Sequence, residues 1–303
     1  MSAATRFSLV IAGFVLVFAA SLTLASRGVY GWTLFAMLPM SAGALGVWFM
    51  KPESAGRAIG IGAAIGAIGC VLFLVAGAEG LVCMAMALPI VVPLSVIGSL
   101  LAYWSSSSGI GTHGAAMCLL LPASFMFDTH ATPPVYSVKT SIVVNAPAER
   151  VWSNVVAFPA IPDEPDWVLR TGLAYPIATR LSGSGVGAPR RCDLSTGTVE
   201  ERVVIWDEPN VLRFEVTSTP PSMRELGLYG RIQPRHLNGY YVSREGEFEL
   251  TPLSSGRTLV TGTSWYQHGM WPAEYWRQWS DLVVHHIHRR VLEHIRDLSQ
   301  AGK

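Results

Sequence analysis

The hydrophobic pattern changes character near residue 130. Before that point apolar residues come in long unbroken runs; beyond it they alternate with polar ones or recur every three or four positions. Phe7 to Ala25, Tyr30 to Met50, Ala58 to Ala76 and Leu81 to Trp104 each approach the roughly 20 apolar residues that a helix needs to cross a bilayer with its backbone groups paired. A shorter run, His113 to Phe127, carries Pro122 and completes a predicted membrane bundle of about five spans. The Pro-containing stretch DTHATPPVYS follows, too short to let what comes next wander far. The expected organisation is a helical membrane region over 1–128, a linker over 129–136 and a soluble domain over 137–303.

From Tyr136 the period is two: Val138, Thr140, Ile142 and Val144 share one face of a predicted strand. Pro147 then opens a short helix with Val151, Trp152, Val155 and Val156 as its apolar stripe. A second short helix is expected near Asp166. Strands are predicted at about 177 to 183, 188 to 195, 198 to 206 and 211 to 218, and in a hairpin of Tyr240 to Thr251 with Arg257 to Gln267. Pro220 to Gly239 shows no clean period and reads as a long loop or lid. Pro272 opens a helix to about Ser299, on which Trp276, Trp279, Val283, Ile287, Val291, Ile295 and Leu298 form one apolar face. Such an order predicts an α+β helix-grip domain, a seven-stranded antiparallel sheet wrapped on a long C-terminal helix.

That order, the stretch IVVNAPAERVW and the closing PAEYWRQWSDLVVHHIHRRVLEHI resemble the START-like superfamily. This superfamily includes the Bet v 1-like proteins and the polyketide cyclase/dehydrase and lipid-transport group. The resemblance covers about residues 136 to 300, and its specific part is the strand followed by Ala-Pro-x-x-x-Val-Trp. It implies a cavity between sheet and long helix for an apolar small molecule, often a lipid, sterol or polyketide. It does not imply catalysis, since many members only bind or carry. The membrane half and the insertion around 220–239 depart from a minimal member.

Composition sharpens this picture. Half of the residues are hydrophobic and only 14% are charged, well below the quarter usual in globular domains. The net charge of +1 without a basic cluster leaves no footprint for nucleic acid. With the N-terminus inside, Arg6, Lys51 and Arg57 are cytoplasmic and Arg27 is outside, as the positive-inside rule prefers. Five spans then put the soluble domain outside the cytoplasm, as in a bacterial-type inner membrane protein; four put it inside. Gly62 and Gly66 stand four apart and allow close helix approach, within the chain or in a homo-oligomer. No Asp, Glu, Lys or Arg sits mid-span, which removes the usual mark of an ion pathway. Cys70, Cys83, Cys118 and Cys192 form neither a disulfide framework nor a zinc-type spacing. No cofactor motif is present.

The reading is a membrane-anchored binding or carrier domain for an apolar small molecule, most plausibly a lipid, with the bilayer as its other partner. Its expected ligand-binding residues are Arg191, Phe214, Val216, Tyr241, Trp265, Trp279, Val283 and His286. Arg191 enters as an anchor for a carboxylate or phosphate, should its strand face be the concave one. His286 enters as a polar contact beside the apolar stripe, and the tryptophans as a cavity mouth. Asp281, His285 and His288 share a helix face, read as a solvated surface rather than a metal site. A second class is a cyclase or dehydratase using His286, His236 or Arg191, and a third is a scaffold whose cup its own side chains fill.

Overall fold

In the computed structural model, which describes residues 3–108 and 112–301, every long apolar run is helical. The helices are α1 (Ala3–Arg27), α2 (Leu38–Met50), α3 (Ala55–Val75), α4 (Leu81–Ser108) and α5 (Thr112–His130), with a π-helical segment Thr33–Met37 leading into α2. Ser54 starts α3 by accepting a hydrogen bond from the Arg57 N–H on its side chain. Four helices among the described residues are long and apolar enough to cross a membrane: Phe7–Arg27, Thr33–Met50, Ala55–Val75 and Leu81–Ser106. The count differs from the expected five. Helix α5 forms, but Pro122 lies inside it and its last turn carries Asp128 and His130, so its apolar stretch is short. The side chains of Arg6 and Cys118 lie outside the described residues.

The chain forms two units, one of residues 1–132, 225–236 and 269–274, the other of 133–224, 237–268 and 275–303. The predicted lid is therefore divided: its middle is a small hairpin, β6 (Glu225–Gly227) paired with β7 (Gly230–Ile232), that belongs with the helices. Tyr229 at its tip donates to the Val75 carbonyl (3.0 Å). Within this unit, α3 and α4 meet where a Cβ on Gly62 would come within 2.7 Å of the Val96 Cα and one on Gly66 within 3.0 Å of the Val92 Cα. Both glycines are buried against α4 of the same chain.

In the other unit, β1 (Val135–Val144), β2 (Pro176–Leu181), β3 (Pro189–Leu194), β4 (Gly197–Asp207), β5 (Val211–Ser218), β8 (Tyr241–Leu253) and β9 (Arg257–His268) make one sheet. Its order is β1-β9-β8-β5-β4-β3-β2, and every pairing is antiparallel. Helices α6 (Ala148–Val156) and α7 (Ala273–Gln300) complete a helix-grip domain. Pro147 is the N-cap of α6, one position earlier than the pattern suggested. Ala146, Val151 and Trp152 of the Ala-Pro-x-x-x-Val-Trp stretch are all core residues, so that motif fixes packing. At the second predicted helix only a 3-10 turn forms, Leu169–Thr171, whose leading N–H groups at Val168 and Leu169 donate to the Asp166 carboxylate.

Candidate functional site

Side-chain alternation and register decide what the grip encloses. The even residues of β1 and β9 point inward, since Thr140 and Ser264 meet histidines of α7 and Val144 and Val260 lie in the core. On β8, Phe248 opposes Gly262 and Leu250 opposes Val260. A register shift between Ser243 and Glu245 then brings Ser243 opposite Tyr266 and Tyr241 opposite His268, so both join the inner face. Leu212 and Phe214 of β5 follow, opposite Phe248 and Gly246. Val216 opposes Glu201 of β4, which in turn opposes Arg190 of β3.

One end of this inner face is apolar. Trp152 meets Trp206 edge-on at 5.4 Å, and Phe158, Val203, Leu212, Leu292 and Ile295 fill the space around them. The other end is lined with hydroxyls and imidazoles. Tyr266, fully buried, donates to the Asp281 carboxylate, which also takes a contact from the Arg277 guanidinium at 3.3 Å. Tyr241 stacks on Tyr266 at 5.2 Å. Burial raises the proton affinity of both phenols and nearby Asp281 adds to it, so they remain hydrogen-bond donors. Thr140 Oγ1 hydrogen-bonds to Nδ1 of His285 (2.8 Å) and of His288 (3.0 Å), and Ser264 Oγ lies 2.7 Å from His288 Nε2. Burial, and secondarily His285, pushes the His288 imidazole down to about 4, so it is neutral at physiological pH.

Across β3 and β4 lies a buried ion pair, Arg190 with Glu201, closed by a hydrogen bond from Arg190 Nε to the Val156 carbonyl (3.3 Å). The guanidinium also sits 4.4 Å over the Phe214 ring. Burial raises the Glu201 carboxyl although Arg190 opposes it. Beside them burial pushes the Cys192 thiol up to about 12, and Glu201 adds to the effect, so it is an inert apolar neighbour.

Of the residues expected to bind ligand, Phe214, Val216 and Tyr241 reach the inner face, and Trp279 and Val283 lie half-buried on a flank of α7. Arg191 and Trp265 do not. Arg191 alternates outward and pairs with Glu200 at 3.0 Å in solvent, while its neighbour Arg190 holds the inward position. Trp265 is likewise on the outer face, stacked under Arg213 at 4.6 Å, with Tyr266 inward in its place. His286 turns to the 157–172 segment, where its Nδ1 meets the Asp166 carboxylate at 2.6 Å. Asp281, His285 and His288 do not form the expected solvated face: only His285 is exposed, it shares Thr140 with the buried His288, and Asp281 takes the Tyr266 phenol. Sequence reading missed Arg190, Glu201, Thr140, Ser264 and Tyr266. The signal for the first pair was the Pro-Arg-Arg-Cys-Asp-Leu strand facing Glu200 and Glu201, where either phase was open. The metal-compatible grouping among the described residues lies in the helical unit, at Glu79, Cys83 and His236.

No protein-family model matches the chain. No curated protein matches it. Among solved structures, a norcoclaurine synthase point mutant of Thalictrum flavum bound to a transition-state analogue is similar at 10% identity. That similarity covers 57% of this chain and 99% of that one, with a TM-score of 0.37. A protein of Nitrosospira multiformis is similar at 20% identity, over 55% and 99% of the two chains, with a TM-score of 0.34. One of Mesorhizobium loti is similar at 13% over 55% and 99%, with a TM-score of 0.36. Similarities this slight say nothing of what this chain does.

Proposed function

We propose that the helix-grip unit binds a small molecule with an apolar body and one polar end, a lipid being the kind a membrane-anchored chain meets first. The observation that carries this reading is that inward-facing Val216, Phe248 and Ser264 stay only half-buried. A core filled by its own side chains would bury them, which is why the scaffold reading is the weaker one. Beside this apolar area Tyr241 and Tyr266 are donors that keep their protons. A ten-carbon tail gains on the order of 8 kcal/mol from leaving water before ordering costs, enough to hold a ligand without chemistry. An enzymatic reading has less support, since the tyrosines are pushed up and His288 down, away from the range useful for proton transfer.

Native mass spectrometry of the full chain released from detergent tests this. One retained apolar adduct per chain is expected, lost in Val216→Trp, which fills the inner face. An equal adduct in both proteins would assign it to the membrane helices and sink the proposal, as would none in either.

The same proposal places the helix-grip unit outside the cytoplasm. Four crossings alone would return the chain to the side of its N-terminus. The Tyr30–Glu79 hydrogen bond (2.6 Å) puts the α1–α2 and α3–α4 turns at one end of the helical unit. Asp128, at the end of α5, accepts from Trp32 N–H and Thr33 N–H at that same end (2.8 Å each). Lys51 and Arg57 lie a full helix away, so the positive-inside rule makes theirs the cytoplasmic end. A compartment-specific reporter fused after Lys303 should be active only outside; activity inside would overturn the placement.

A further inference from the structure

Glu79 lies just before α4 and Cys83 in its first turn. The helical unit brings Tyr30 and the hairpin residues Glu225 and His236 against them, all within the same unit. Cys83 Sγ lies 3.0 Å from His236 Nε2 and donates to Glu225 Oε2 at 3.2 Å. Glu225 Oε1 accepts from Val82 N–H at 3.0 Å, and Tyr30 donates to Glu79 Oε1 at 2.6 Å while its ring meets the imidazole edge-on at 4.9 Å. Gly80 makes room for this, because a Cβ there would come within 2.1 Å of the Glu225 carboxylate.

Two features of the cluster are unsatisfied. Glu79 Oε2 and His236 Nδ1 are buried, face each other at 3.4 Å and have no hydrogen-bond partner. Glu79 is 2% exposed and Glu225 0%, and neither meets a lysine or arginine among the described residues. Two buried carboxyl groups beside one imidazole have no dedicated cationic partner, and polar groups so enclosed are costly away from water.

We propose that Glu79, Cys83 and His236 bind a divalent cation of the zinc class, fastening the Glu225–Ile232 hairpin and the segment after it to the ends of α3 and α4. One ligand atom from each lies within 4.8 Å of the others, so side-chain adjustment, with the imidazole binding through one of its nitrogens, brings them to about 2.0–2.3 Å from a common centre. Thiolate, imidazole and carboxylate together suit zinc rather than magnesium or calcium, which take oxygen. Binding exchanges the Cys83 thiol proton for the metal and releases it to water. Glu225, beside the sulfur, is the nearest group for the fourth position. With four protein donors the site is closed, and its role is structural.

The test uses the full chain in detergent, stripped with chelator and titrated with Co²⁺ and then Zn²⁺. One Co²⁺ per chain with a thiolate charge-transfer absorption is expected, displaced by Zn²⁺ and absent in Cys83→Ser. His236→Gln should weaken Zn²⁺ more than tenfold, and zinc should protect residues 225–236 from protease in the native sequence. Failure of the native chain to bind either ion, or a cobalt spectrum without the thiolate absorption, overturns the site whatever the variants do. Unchanged affinity in a folded His236→Gln overturns it as well.

Discussion

Glu201 in the helix-grip unit and Glu79 with Glu225 in the helical unit are almost equally buried, yet their charges are handled differently. Glu201 has a dedicated guanidinium, itself held by the Val156 carbonyl and the Phe214 ring. Glu79 and Glu225 have a phenol, a thiol, a backbone N–H and one imidazole. The first arrangement is complete without any further species, whereas the second gains from a cation. Burial alone therefore does not mark a site; burial with missing countercharge does.

Breaking the complete arrangement gives the largest expected effect. Arg190→Met leaves the Glu201 carboxylate buried without its partner and should destabilise the helix-grip unit by about 3–5 kcal/mol. Removing both charges in Arg190→Met with Glu201→Leu should recover most of that loss, because a packed apolar pair has no charges to desolvate. Thermal unfolding of the full chain in detergent, with both singles and the double, measures it. A double variant as unstable as Arg190→Met would mean that the pair's packing, not its charge balance, holds the sheet.

The opposite solution, a buried group kept neutral, is found at His288. Its folded value of about 4 lies below the ordinary 6.5, so between those two the unfolded chain binds more protons than the folded one. Stability is full above about 6.5 and falls as pH drops towards 4, by about 3 kcal/mol in all. Below 4 the group contributes no further slope. Unfolding midpoints against pH should show this fall in the native sequence and a shallower one in His288→Leu. Equal slopes would remove His288 from the account.

How much of this could be read beforehand depends on what kind of regularity carried it. The seven strands were legible because apolar alternation and turn residues repeat locally, and β5 was placed without error at Val211–Ser218. The buried face of α7 was legible only approximately. Trp276, Val291 and Ile295 were foreseen, but the most buried line runs through Val284, His288, Leu292 and Ser299 instead of Val283, Ile287 and Leu298. An apolar stripe cannot register polar residues that are buried with partners, as His288 is with Thr140 and Ser264, and Ser299 with Asn154. Strand phase failed where both phases carried the same chemistry: Arg190 beside Arg191, and Trp265 beside Tyr266. The Glu79–Cys83–His236 grouping was illegible, because His236 lies 153 positions from Cys83 and reaches it only through the hairpin.

The smallest expected effect comes from a charge that only partly leaves water. Arg213 covers the Trp265 ring on the outer face and bonds Glu247 at 2.8 Å, with its own side chain 32% exposed. There the guanidinium has solvent as well as Glu245, 44% exposed, and Glu247, 14% exposed, for company, so less uncompensated charge is left behind when it goes than at Glu201. Arg213→Ala should cost about 0.5–1 kcal/mol, the range for an exposed cation–π contact with a surface ion pair. Raising the salt concentration should shrink that figure, since exposed pairs are screened. Arg190→Met should keep its larger effect at the same salt. If the two variants respond alike to salt, the distinction between enclosed and solvated charge in this sheet is lost.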